Sequence, residues 1–257
     1  MCVNEMNKNG EKVNKAQLME NERCLRSYQA GNLDAPAPTY EICINADEKG
    51  RVQRAEDRTK DREEKKCDTL DEPPPFAYTN WETVNPAAVN GALALTYDIF
   101  GGPPVSDDIL ITRAENRETA RCQLEMQTRA GRLENTVLKE LNKAKRRAIK
   151  DEAVTSDAAL EAELETVFIS NDRINRTEDR LVRLVDRRCA VLQTPPSTIF
   201  PGDCGLGNPT PTLRVVEVCV IAAARCEACL KMNAFDGLNM DCELADDRTD
   251  NGSCPDL

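Results

Sequence analysis

The sequence contains no histidine. That absence removes the commonest general base, the usual partner of a nucleophilic serine or cysteine, and every imidazole metal ligand. Aromatic residues make up only 4% of 257 positions and the mean hydropathy is −0.55, thin material for a core. A chain of this kind is expected to be poorly ordered alone, or to complete its apolar packing with a partner or a bound apolar group. No apolar run is long enough for a bilayer, and the longest, Val215 to Ala224, is interrupted by Glu217, so membrane insertion is not expected. The opening MCVNEMNKNG has neither the apolar region of a secretory signal nor the acid-poor, Arg- and Ser-rich character of a transit peptide. A formal charge of −11 argues against nucleic acid, because phosphate neutralisation needs clustered cations free of compensating acid. Acids and lysines fall on solvated helix faces, so no general acid–base couple stands out and no enzyme is expected.

What the chain does have is cysteine and repetition. Twelve cysteines, at 2, 24, 43, 67, 122, 189, 204, 219, 226, 229, 242 and 254, read as disulfides, metal ligands or covalent attachment points. Residues Arg51 to Arg58 read RVQRAEDR and residues Arg173 to Arg180 read RINRTEDR. The match continues without a gap through Lys66-Cys67 and Arg188-Cys189, Leu70 and Leu192, and Pro73-Pro74 and Pro195-Pro196. A second unit alternates with it, Arg23-Cys24, Arg121-Cys122 and, more loosely, Arg225-Cys226, each followed by a glycine and leucine. A cation therefore precedes cysteine five times.

Proline and glycine clusters divide the chain, whereas Ser106 to Leu192 has no proline and one glycine, Gly131. Rich in Ala, Leu, Glu, Arg and Lys, this stretch predicts two or three long helices, with Ser106-Asp107 and Thr155-Ser156-Asp157 as starts. Arg173, Arg176, Arg180, Arg183 and Arg187 share one helical face, while Ile174, Leu181, Leu184, Val185 and Leu192 supply apolar contact elsewhere. The matching face at Arg51, Arg54, Arg58, Arg62 and Lys65 has almost no apolar counterpart, so this first helix should be the more exposed. A further helix is expected over Val215 to Met232, and an irregular acidic terminus after Asp241. The fold class read from these patterns is mainly α, an extended helical linker with an internal pseudo-twofold repeat and long loops. Its parts are an N-terminal extension (1–40), a first half (41–135) and a second half with an acidic, cysteine-rich tail (136–257).

A cation beside cysteine lowers the thiol pKa and can pair with an acid group of an attached molecule. Open-chain tetrapyrroles, the bilins, have that profile, since they bond cysteine through a thioether and carry two propionates. With its repeated cysteine stations, the motifs RCLRS at 23–27 and CEACLK at 226–231, and its long charged helical chain, the sequence resembles the gamma subunits of red-algal phycoerythrin. These are chromophore-bearing rod linkers of the phycobilisome. Ala228-Cys229-Leu230-Lys231 is also similar to the run around the bilin-binding cysteine of phycobiliprotein beta chains. The resemblance spans roughly residues 20 to 240 as a pattern of short motifs.

It implies a linker inside phycoerythrin hexamers, on the thylakoid surface in the plastid stroma, that organises assembly and transfers light energy. Its partners would be phycoerythrin alpha and beta subunits and neighbouring rod linkers. Phycoerythrobilin or phycourobilin would be held by Cys67, Cys189, Cys122, Cys226, Cys24 and Cys229, with Arg121, Arg188 and Arg225 on the propionates. Partner contact would fall to Arg51, Arg54, Arg58, Arg173, Arg176 and Arg180. The alternative reading of the same cysteines is a disulfide-rich structural or extracellular protein with up to six disulfides. A third takes Cys219, Cys226, Cys229 and Cys242 as metal or iron–sulfur ligands, on the weak signal of one CxxC.

Overall fold

The computed structural model describes residues 2–151, 154–206, 211–246 and 254. Among them all regular structure is helical. The chain runs through α1 (Cys2–Gln29), α2 (Tyr40–Ala46), α3 (Arg51–Lys66) and α4 (Trp81–Phe100), then a 3-10 turn (Asp107–Ile109). It continues through α5 (Arg117–Lys150), α6 (Asp157–Ser170) and α7 (Asp172–Cys189). Two single turns, α8 (Pro196–Ile199) and α9 (Asp203–Leu206), precede α10 (Leu213–Asp236) and α11 (Cys242–Asp246).

The proline-free stretch supplies three helices, as its composition predicts, but the first starts later than expected. Asn116 caps α5 by accepting from the Glu118 and Thr119 amides, while Ser106 precedes only the 3-10 turn and makes no side-chain cap bond. Ser156 caps α6 as read from the sequence, and Asn171 caps α7. Gly237, at φ 67, closes α10 in the left-handed conformation that glycine adopts without strain. The 135/136 division falls inside α5, so the two halves share a helix.

Helices α1, α4, α10 and α5 pack each against the next in a ring, while α3 lies on α1 and α7 lies on α5. This is a bundle rather than an extended linker. The interior closes without many aromatics because small residues and hydrogen bonds fill it. Ala88, Ala92, Ala130, Ala224 and Ala228 are almost fully buried where the helices meet. Asn21 donates to the Ala92 carbonyl at 3.0 Å and to Thr96 at 2.9 Å, and Gln127 reaches the same Thr96 hydroxyl at 2.9 Å. Lys145, fully buried on α5, donates to Asp236 at 2.5 Å, Asn7 at 2.8 Å and the Ala77 carbonyl at 3.0 Å, joining α1, α5 and α10. A buried ammonium needs such company, since an unpaired one costs several kcal/mol, by rough estimate.

The two outer helices bury the same four repeat positions. In α7 these are Ile174, Leu181, Val185 and Cys189, and in α3 they are Val52, Thr59, Glu63 and Cys67. The stripe of α7 is apolar, whereas in α3 a threonine and a carboxylate stand in its place. Buried Glu63 accepts from the Tyr78 hydroxyl and, at 2.9 Å, from the Trp81 amide. The apolar face of α3 is the weaker one, yet α3 is not left much more exposed than α7, because Thr59, Glu63 and Cys67 are buried with Val52. Each outer helix is also tied covalently at its C-terminal end, by Cys2–Cys67 across 65 residues and by Cys122–Cys189 across 67. In the chain-entropy model a loop of that length corresponds to roughly 4 kcal/mol. The variant Cys122→Ala/Cys189→Ala is therefore expected to lose about 4 kcal/mol in urea unfolding, and more than Cys204→Ala/Cys219→Ala, whose shorter loop gives roughly 3 kcal/mol. Equal losses would show that loop length does not set the contribution.

Candidate functional site

Every cysteine singled out in the sequence is bonded to another. The pairs are Cys2–Cys67, Cys24–Cys43, Cys122–Cys189, Cys204–Cys219, Cys226–Cys254 and Cys229–Cys242. Their Cα separations, 4.9 to 5.7 Å, are the ordinary span of a disulfide. Cys219, Cys226, Cys229 and Cys242 fall in three different pairs rather than one tetrad. No group of three or more His, Cys, Asp or Glu poised for a metal occurs among the described residues. No described helix is long and apolar enough to cross a membrane.

The cations beside the cysteines take different places. Arg225 is buried, donates to the Phe168 carbonyl at 2.6 Å and stacks over the Phe168 ring, so it fastens the end of α6 to α10. Arg23 is held by Glu20 at 2.6 Å. Arg121 and Arg188 are brought together, because the Cys122–Cys189 bridge sets their neighbouring positions on α5 and α7 at one cleft.

That cleft, of 390 Å³, lies between α1, α5 and the end of α7. Seven of the ten residues that line it are arginines: Arg26, Arg113, Arg117, Arg121, Arg129, Arg132 and Arg188. Its one carboxylate, Glu125, is paired with Arg129 at 2.7 Å. A second cleft, of 670 Å³, shares Thr128, Arg129 and Arg132 with the first and adds Lys15, Met19, Arg173 and Arg180. The two are ends of one groove with α5 as floor and α1 and α7 as walls. Arg113, Arg117, Arg132, Arg180 and Arg188 make no ion pair among the described residues. Guanidinium stays charged at any working pH and presents a fork of donors, so the groove is a positive, donor-rich surface in a chain that is acidic overall.

Of the residues expected to meet a partner, Arg173 and Arg180 line this groove and Arg176 lies exposed on the same helix. Arg51, Arg54 and Arg58 line a separate shallow recess of 270 Å³ with Lys12 and Lys15. Sequence reasoning missed Arg113, Arg117, Arg129 and Arg132. Their signal was the spacing of Arg113, Arg117, Arg121, Arg129 and Arg132, at intervals of four, four, eight and three residues, which sets those within α5 on one side of the helix and Arg113 just before its start.

A second polar cluster lies inside the bundle. Lys231 on α10 meets Glu134 of α5 at 2.5 Å and Glu227 at 3.5 Å. Asn14, in the orientation its neighbours require, donates to Glu134 at 2.8 Å. The α4 backbone comes close only because position 91 is glycine, since a Cβ there would collide with the Lys231 ammonium and the Glu227 carboxylate. One ammonium serves several acids. Burial pushes the Glu134 carboxyl up to about 7 against the pull of Lys231, and burial with the field of Glu227 does the same for Asp98. Glu134 and Lys231 are both fully buried, which suits a structural role.

Comparison of the chain with protein-family models, curated proteins and solved structures returns no match.

The buried acids give stability a direction with pH. Asp98, Glu134 and Glu217 each have a folded pKa raised to about 7, so each holds its proton more tightly in the fold than in the unfolded chain. Their contribution is complete below the ordinary carboxylate values of 3.8 and 4.5 and is lost as pH rises through about 7. The melting temperature is expected to be higher at pH 5 than at pH 8, and Asp98→Asn should flatten that slope. A melting temperature that rises over this interval would contradict the assignment.

Proposed function

We propose that this chain is a non-catalytic, disulfide-held helical protein of an oxidising compartment, structural or extracellular, built from two copies of one helical unit. The observation that carries the reading is the closure of all twelve cysteines into six disulfides, with none left free. Such density persists where thiols are not kept reduced. The duplication draws support from the repeat positions Cys67 and Cys189, each 5% exposed and each bonded to the long helix that its own helix lies on. Its work would then be done through its surface, where the groove gathers several arginines that make no ion pair among the described residues.

One observation favours the bilin-bearing linker as a second reading. Arg121 and Arg188 line a single cleft beside Cys122 and Cys189, where a propionate-bearing bilin on either cysteine would find its cations. That reading needs the Cys122–Cys189 bridge open and places the protein in the plastid among phycoerythrin subunits.

Thiol counting and absorption separate the two. The disulfide-held protein is expected to take up no alkylating reagent when denatured without reductant, to take up one per cysteine after reduction, and to show no visible absorption band. A band that survives denaturation and reduction, with bilin mass on the Cys67 and Cys189 peptides, would replace this reading with the linker.

A further inference from the structure

We propose that the groove over α5 is a binding site for an anionic polysaccharide, a chain that carries sulfate or carboxylate groups between free hydroxyls. The inference rests on the disulfide-held reading in one respect, that Cys122–Cys189 holds the α7 wall against α5.

Shape argues for a chain. Lining positions on α5 run from Arg117 to Thr136 at three- and four-residue intervals, which at 1.5 Å per residue is roughly 28 Å of helix. A compact anion would use one end only. Here the arginines continue past Thr128 into the second cleft, to Arg132, Arg173 and Arg180.

Chemistry argues for sugar. Between its cations the second cleft is lined by neutral polar residues, Gln127, Thr128, Asn135, Thr136 and Thr177, and by one carboxylate, Glu22, which Arg26 holds at 2.5 Å. Three of these carry oxygens without a hydrogen-bond partner in the fold: Gln127 Oε1, Thr128 Oγ1 and Asn135 Oδ1. Gln127 and Thr128 are only 2% and 7% exposed, a degree of burial at which an unpaired oxygen is costly. The Gln127 amide nitrogen is committed to Thr96, which leaves the amide oxygen as its unpaired atom at the floor of the cleft. Fully ionised phosphate, sulfate or carboxylate has no proton to donate, whereas sugar hydroxyls do. Arg129 adds a buried Nη1 that lacks an acceptor, beside its ion pair with Glu125. A ligand that both accepts and donates fits this set. The acidic remainder of the chain repels polyanions at large, and the smaller basic recess at Arg51, Arg54 and Arg58 lacks the neutral polar lining that the groove adds to its arginines.

The test uses the oxidised full chain, its six disulfides verified by mass, so that a failure to bind counts against the groove and not against the disulfides. Heparin oligosaccharides and oligogalacturonates of graded length are titrated by calorimetry, beside inositol hexakisphosphate and polyglutamate. Affinity for one of the glycan series is expected to rise with length and then level off, to weaken with salt, and to exceed that for both comparison anions. The variant Arg117→Glu/Arg132→Glu should weaken glycan binding by about tenfold or more, the scale of losing charge-assisted contacts. Thr128→Val should weaken it by about threefold while the melting temperature holds or rises, because the hydroxyl has no partner in the fold. Arg183→Glu, on the α7 face beside Glu178, Asp179 and Asp186, should change nothing. Inositol hexakisphosphate bound as tightly as the longest glycan would mean a compact polyphosphate site, and polyglutamate bound as tightly would mean an acidic polypeptide. Either result, absence of binding, or indifference to the Arg117/Arg132 reversal would overturn the proposal.

Discussion

The bridge from Cys122 to Cys189 fastens the end of α7 to the start of α5, and Cys2 to Cys67 does the same for α3 on α1. The outer shell depends on these ties because the helices they hold are so polar. In α7 three apolar side chains face inward, enough for a few kcal/mol by area, at roughly 1.5–3 kcal/mol each. In α3 only Val52 is comparable, and Thr59 and Glu63 occupy the positions below it. A helix with so narrow an apolar stripe would have little to dock with alone. The covalent tie limits what the unfolded chain can explore and leaves the helix surface free to carry charge.

That freedom is what makes the groove. Its walls are polar helices that burial alone would hold weakly, and its floor is a face of α5 bearing arginines at positions a conventional bundle would leave to mixed charge. Inside, the bundle substitutes amides, hydroxyls and two buried ammonium groups for the bulky side chains it lacks. Lys145 meets Asp236 and Lys231 meets Glu134, each at 2.5 Å, and removal of Asp236 would leave the buried Lys145 ammonium without its carboxylate, whereas Lys231 would keep Glu227 at 3.5 Å. The protons held by the acids around Lys231 limit the net charge sealed in the core, and they make stability fall toward alkaline pH.

Much of the architecture was legible in the sequence, because helix formation is local. Proline and glycine clusters mark the breaks, the long Ala-, Leu- and Glu-rich stretch becomes α5, α6 and α7, and Ser156 caps where its spacing says it should. Burial of the same four positions in α3 and α7 follows from the ungapped match of their sequences. Cysteine partners were not legible, since pairing is decided by contacts across 13 to 67 residues. A reader of Arg121-Cys122 and Arg188-Cys189 sees two similar stations. The fold turns them into a single bridge with both arginines at one cleft. The thin aromatic content pointed to a poorly closed chain, yet Asn21, Thr96 and Gln127 close the centre with hydrogen bonds that composition does not reveal.

The outer helices and the groove between them depend on which sulfur is bonded to which. Peptide mapping by mass spectrometry after proteolysis without reductant tests it most directly. The expected result is one linked pair joining the peptides of Cys122 and Cys189, a second joining those of Cys2 and Cys67, and no unmodified thiol. Recovery of Cys67 and Cys189 as unlinked peptides, free or carrying a tetrapyrrole, would contradict it.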